Sequence, residues 1–90
     1  MAGYRLLIKP SAGKEIEALG HKKDRQRIVS RIAALAAEPR PVGCEKLAGA
    51  EGRYRIRQGQ FRIVYAVDDA TRTVEVVKVG HRGEVYRDAT

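Results

Sequence analysis

The residues with the most chemistry to offer lie between Arg53 and Tyr65. This stretch holds four arginines, two tyrosines and one phenylalanine, with no acidic residue. Arg53-Tyr54-Arg55-Ile56-Arg57 alternates, and the period of two in a strand turns the three arginines to one face and Tyr54 and Ile56 to the other. A hairpin at Gln58-Gly59 lets Arg62 join that face if the register sets it opposite. Like charges across neighbouring strands are destabilising, so a sheet massing four cations on one side gives up stability. An anion held there would offset the loss. The same pattern also suits a solvated outer face whose arginines guard against edge-to-edge aggregation. The chain's tail, Gly80-His81-Arg82-Gly83-Glu84-Val85-Tyr86, adds an imidazole, a guanidinium and a phenol just past an apolar strand. Folded over the cationic face, these groups would complete a site for a phosphodiester.

The composition supports an anionic partner. The 90 residues carry 18 Lys plus Arg against 11 Asp plus Glu, a net charge of +7. Twelve of those cations are arginines, and residues 46–90 hold seven Arg but two Lys. Arginine presents a planar fork to phosphate and stays charged at physiological pH. The partners compatible with this balance are nucleic acid, an acidic protein segment or a membrane surface. A single cysteine, Cys44, precludes an internal disulfide and fits a reducing cytoplasm. Cys44, His21 and His81 lack metal-ligand spacing, so no metal or other cofactor is expected. No apolar run is long enough to span a bilayer, and no signal peptide is visible.

The elements that must position these groups follow from hydrophobic spacing. Residues 1–90 read as one domain. Tyr4–Lys9 reads as a strand ended by Pro10. Ser11 is the expected cap of a helix over AGKEIEAL, stopped by Gly20. Asp24 is the expected cap of a second helix reaching Ala37, with Ile28, Val29, Ile32, Ala33, Leu35 and Ala36 as its buried stripe and Arg25, Arg27 and Arg31 outside. Residues 39–52 read as a connecting loop touching the core at Leu47. Strands follow at Arg53–Arg57, Gln60–Val67 and Thr73–Val79, with Gly80 ending the last. The order is β-α-α-β-β-β. It predicts an α+β domain with a small, mainly antiparallel sheet and a helical hairpin packed on one face.

The run YRIRQGQFRIVYAVDD, followed by VEVVKVGHRGEVYR, resembles the RelE branch of the RelE/ParE toxin superfamily, and the similarity extends over nearly the whole chain. The resemblance implies the toxin of a toxin–antitoxin pair, a metal-independent endoribonuclease that cleaves mRNA in the ribosomal A site. It implies inhibition by a cognate antitoxin protein that wraps the toxin, and a cytoplasmic location. By position it carries the family's basic cluster onto Arg55, Arg57, Arg62 and Arg82, and its C-terminal tyrosine onto Tyr86. Positions 55 and 57 are lysines in the familiar bacterial members and arginines here. An arginine clamps phosphate but cannot act as a general base. His81 and Tyr86 are then the titratable groups of suitable type to move protons during attack of the 2′-oxygen on the adjacent phosphate, the alternatives being a plain turn position for His81 and stacking on a base for Tyr86. Two other readings share the fold: the ParE-like branch, which poisons DNA gyrase by protein contact, and an inactive nucleic-acid-binding relative.

Overall fold

A computed structural model describes residues 3–49 and 51–81. The chain runs β1 (Arg5–Ile8), α1 (Pro10–Glu17), α2 (Lys22–Leu35), β2 (Glu45–Lys46), β3 (Arg53–Gln58), β4 (Phe61–Asp68) and β5 (Thr73–His81). The five strands form one sheet in the order β1-β5-β4-β3-β2. β1 pairs parallel with β5, and every other pairing is antiparallel. The expected α+β architecture is present, with one strand more than the sequence reading. Residues 45–46, expected within a loop, pair with Arg55 and Tyr54 as a short edge.

One face of the sheet carries the core. Ala12 and Ile16 of α1 and Ile28, Ile32 and Leu35 of α2 meet Ile56, Phe61, Ile63, Tyr65, Val67, Val74, Val76 and Val79. The spacing of Ile28, Ile32 and Leu35 at i, i+4 and i+7 defines the buried stripe of α2. Val29 falls outside it and is 51% exposed, contrary to the sequence expectation. Ile28 is fully buried, so Ile28→Ala should lower unfolding free energy by about 2–5 kcal/mol. That is a large share of a small domain's total, and denaturant titration will read it as a shift in midpoint with little change in slope.

The helix starts also depart from the sequence reading. Pro10 occupies the first turn of α1 and Lys9 stands at its cap, because a fixed φ and a missing N–H suit that position better than Ser11 does. His21 stands at the cap of α2 in an extended conformation, and Asp24 sits within the first turn. There its charge still complements the positive end of the helix dipole. Neither helix reaches its expected end: α1 stops at Glu17 before Gly20, and α2 at Leu35. Among the described residues no helix is long and apolar enough to cross a membrane.

Two local features fix the sheet around the arginines. Gln58 pairs with Phe61 across the two-residue turn Gly59-Gln60, and Gly59 has φ 62°. A type II′ hairpin turn asks for that positive φ at its first central residue, which glycine adopts without steric cost. Where β1 ends, Glu15 of α1 takes over as the partner of β5. Its Oε1 accepts the Val79 N–H at 2.9 Å and its Oε2 accepts the Lys78 ammonium at 2.7 Å. β5 continues as a strand through Gly80 to His81, paired with Arg62 and Phe61 of β4, instead of stopping at Val79.

Candidate active site

The tight turn at Gly59 sets Arg57 directly opposite Arg62, Arg55 opposite Val64 and Arg53 opposite Ala66. All four arginines thus share the face of the sheet that turns away from the helices. On the far side of Arg62, β5 presents Gly80, which has no side chain. Arg57 is exposed, Arg55 is half-buried, and Arg62 is only 7% exposed. Arg62 is on the arginine face as the hairpin predicts, yet it is covered there. It lies on β4, the central strand of the five.

A carboxylate absent from the sequence reading joins this cluster. Glu45 of β2 pairs with Arg55 in register, and its Oε1 accepts the Arg55 Nε–H at 3.1 Å. That hydrogen bond and the adjacent charge of Arg55 hold the Glu45 carboxyl below the ordinary range, with further help from the charges of Arg62 and Arg57. Glu45 is therefore an ionised, largely exposed carboxylate at the edge of the arginine cluster, bonded to Arg55. A two-residue strand leaves no periodicity to read, which is why the sequence hid it.

The loop that delivers Glu45 is pinned on the other side. The fully buried Tyr65 donates its hydroxyl to the Pro39 carbonyl at 2.7 Å. Burial pushes the Tyr65 phenol up, so it stays a donor. Arg40 donates to both Asp69 oxygens, at 3.2 and 2.9 Å, and its Nε–H to the Tyr54 hydroxyl at 2.9 Å. Its guanidinium also lies 5.1 Å from the Tyr54 ring centre. Tyr4 donates to the same Asp69 at 2.6 Å, and these bonds together keep Asp69 below the ordinary carboxylate range. Planar forks and aromatic rings lose little freedom when ordered, so such a cluster suits the fixing of a loop.

The site residues named from sequence divide into three groups. Arg55, Arg57 and Arg62 are brought together. Arg82 and Tyr86 lie outside the described residues. His81 is placed apart from the arginines, because extension of β5 pairs it with Phe61 on the opposite, helix-bearing face. Its ring centre is 4.7 Å from that of Phe61. With Glu15, His21 and Asp24 it lines a groove of about 760 Å³ at the helix-hairpin end of the sheet. One residue of strand parity separates the two faces, and Gly80 does not break the strand as expected.

Comparison with known proteins places this architecture. Residues 6–86 match the family described as ParE toxin of type II toxin-antitoxin system, parDE. The chain is similar to Toxin RelE of Mycobacterium tuberculosis, strain ATCC 25618 / H37Rv, at 32% identity over 84 residues. That alignment covers 93% of this chain and 87% of the relative. Among solved structures, the archaeal RelE–RelB complex from Pyrococcus horikoshii OT3 aligns with a TM-score of 0.79 and 28% identity, covering 92% of this chain and 98% of that one. The intact E. coli RelBE toxin–antitoxin complex aligns with a TM-score of 0.75 and 30% identity, covering 87% and 95%.

Proposed function

Because the chain belongs to the ParE toxin family of type II toxin–antitoxin systems and is RelE-like within it, we propose that it is an endoribonuclease that cleaves mRNA on the ribosome. The observation that carries this reading is the direct pairing of Arg57 with Arg62, beside an Arg55 that already holds a carboxylate. The 2′-oxygen attacks the adjacent phosphorus, an O2′–P bond forms and the P–O5′ bond breaks. The products are a 2′,3′-cyclic phosphate and a 5′-hydroxyl. Between them the phosphorane carries extra negative charge, and preorganised guanidinium groups stabilise it in the transition state. Glu45 takes the 2′-hydroxyl proton, a step that no arginine can perform. The departing 5′-oxygen needs a proton, and the Tyr86 phenol, on which the family's C-terminal tyrosine falls by position, is the group we assign as its donor. Arg82 is assigned to phosphate binding with the other arginines. The partners are the mRNA, the ribosome in the cytoplasm, and a cognate antitoxin whose acidic residues would neutralise the cationic face.

His81 has no part in this chemistry as proposed. His81→Ala should leave the single-turnover rate and its pH profile unchanged, as measured on a defined mRNA bound to ribosomes. A lost or shifted limb in the profile would return His81 to the site.

Expression of the chain alone tests the function in cells. It should stop incorporation of labelled amino acids before labelled thymidine, and co-expressed antitoxin should restore growth. Arrest of DNA synthesis with intact mRNA would instead mark a gyrase-directed toxin.

A further inference from the structure

A second cationic surface lies on α2, on the helix-bearing side of the sheet. Lys23, Arg27 and Arg31 recur at i, i+4 and i+8, so they form one stripe that climbs the helix in steps of about 6 Å. With Gln26, Ser30, Ala34 and, from β3, Gln58 they line an open groove of about 570 Å³. Among the described residues none of the three makes an ion pair or a side-chain hydrogen bond, and the Arg31 Nε is shielded from water without a partner. Arg25, one face round, is already committed to the Leu19 carbonyl at 2.7 Å. Like charges at i, i+4 destabilise a helix, so this unneutralised row is a cost to the fold that a bound anion would remove.

We infer that the Lys23–Arg27–Arg31 stripe is a separate, non-cleaving surface that grips the phosphate backbone of duplex RNA. That the anion is RNA rests on the ribonuclease reading; the placement of the stripe does not. Three features select a duplex. A rigid helix with evenly stepped cations matches a regular row of phosphates rather than a flexible strand. The stripe offers no aromatic ring, and single-strand binders depend on stacking bases against such rings. Gln26 and Ser30 supply the short polar contacts that serve phosphate and 2′-hydroxyl groups in A-form helices. An acidic protein segment fits less well. Protein interfaces draw their affinity from large apolar or aromatic anchors, and among the described residues that line this groove Ala34 is the only apolar one. Because α2 and the Arg55–Arg57–Arg62 cluster lie on opposite sides of the sheet, a duplex on one leaves the other open for the strand to be cut.

The test measures binding, so it stands whether or not the chain cleaves RNA. A blunt RNA duplex of about 16 bp is titrated with the full chain at several KCl concentrations. Each phosphate contact contributes about 0.9 to the slope of log K against log[salt]. A variant carrying Lys23→Gln, Arg27→Gln and Arg31→Gln should flatten that slope by nearly three and weaken binding at least tenfold at low salt. Lys23→Gln with Arg27→Gln alone, both at exposed positions, should flatten it by nearly two, which covers the case in which loss of the half-buried Arg31 disturbs folding. Arg57→Ala should reduce binding of a single-stranded RNA more than binding of the duplex. An unchanged duplex slope in both α2 variants overturns the inference. So does unchanged duplex binding accompanied by weakened capture of the antitoxin, which would make the stripe a protein-docking surface. Failure of the chain to cleave mRNA would strike the ribonuclease reading alone.

Discussion

Arg62→Ala is expected to lower the single-turnover rate of RNA cleavage by about 10²–10³-fold, the usual consequence of removing one preorganised charge from a transition state. Arg62 sits at the centre of the cationic face, between Arg57 on β3 and Gly80 on β5, and is 7% exposed. A buried guanidinium acts in a medium of lower polarisability than water, where its attraction for the phosphorane is stronger. Two contributions to stability oppose each other on this face. Removing the charge relieves repulsion from Arg57, worth about 1 kcal/mol or less for a cross-strand pair. Removing the buried stem loses packing worth about 1–3 kcal/mol. Packing wins, so the variant should melt somewhat below wild type while remaining folded at 25 °C. Arg62→Lys should retain the charge and recover part of the rate, though not the fork geometry that addresses two phosphate oxygens. A folded Arg62→Ala protein that cleaves at the wild-type rate would remove this residue from the site.

Glu45→Gln is the second large effect. It keeps the shape and a hydrogen-bond acceptor for Arg55 but removes the proton acceptor. The rate should fall by about 10²–10⁴-fold, the range for loss of a general base. RNA affinity should hold or rise, since one competing anion has been removed from beside the cationic cluster. The pH dependence separates this role from mere positioning. Arg55 holds the Glu45 carboxyl below its ordinary value of 4.5, so the base is ionised at every pH above that value. Wild-type activity should therefore be lost only as pH falls through the lowered pKa, well into the acid range. The Gln variant, having no carboxyl, should lack that limb. Wild-type cleavage by Glu45→Gln, or an acid limb that persists in it, would reduce Glu45 to an anchor for Arg55.

What the sequence made legible was whatever repeats within one element. The alternation of Arg53 to Arg57 placed three arginines on one face, and Gly59 announced the tight turn that brings Arg62 beside them. The stripe of Ile28, Ile32 and Leu35 announced how α2 packs. The features that escaped depend on contacts between distant segments. Glu45 reaches Arg55 only because a loop held by Tyr65, Arg40 and Asp69 lays two residues against β3. His81 faces the helices because β5 stays paired with β4 past Gly80, while Glu15, 64 positions before Val79, bonds the edge that β1 leaves. No local pattern encodes either contact, and a one-residue change of parity moved a candidate base to the opposite face.

The most direct measurement follows a defined mRNA in a purified translation reaction, with its ends mapped after the toxin is added. The account predicts that stalled ribosomes yield fragments ending in a 2′,3′-cyclic phosphate at the A-site codon, that Arg62→Ala and Glu45→Gln abolish them, and that His81→Ala does not. Intact mRNA under these conditions, together with inhibition of DNA supercoiling by the same preparation, would contradict it.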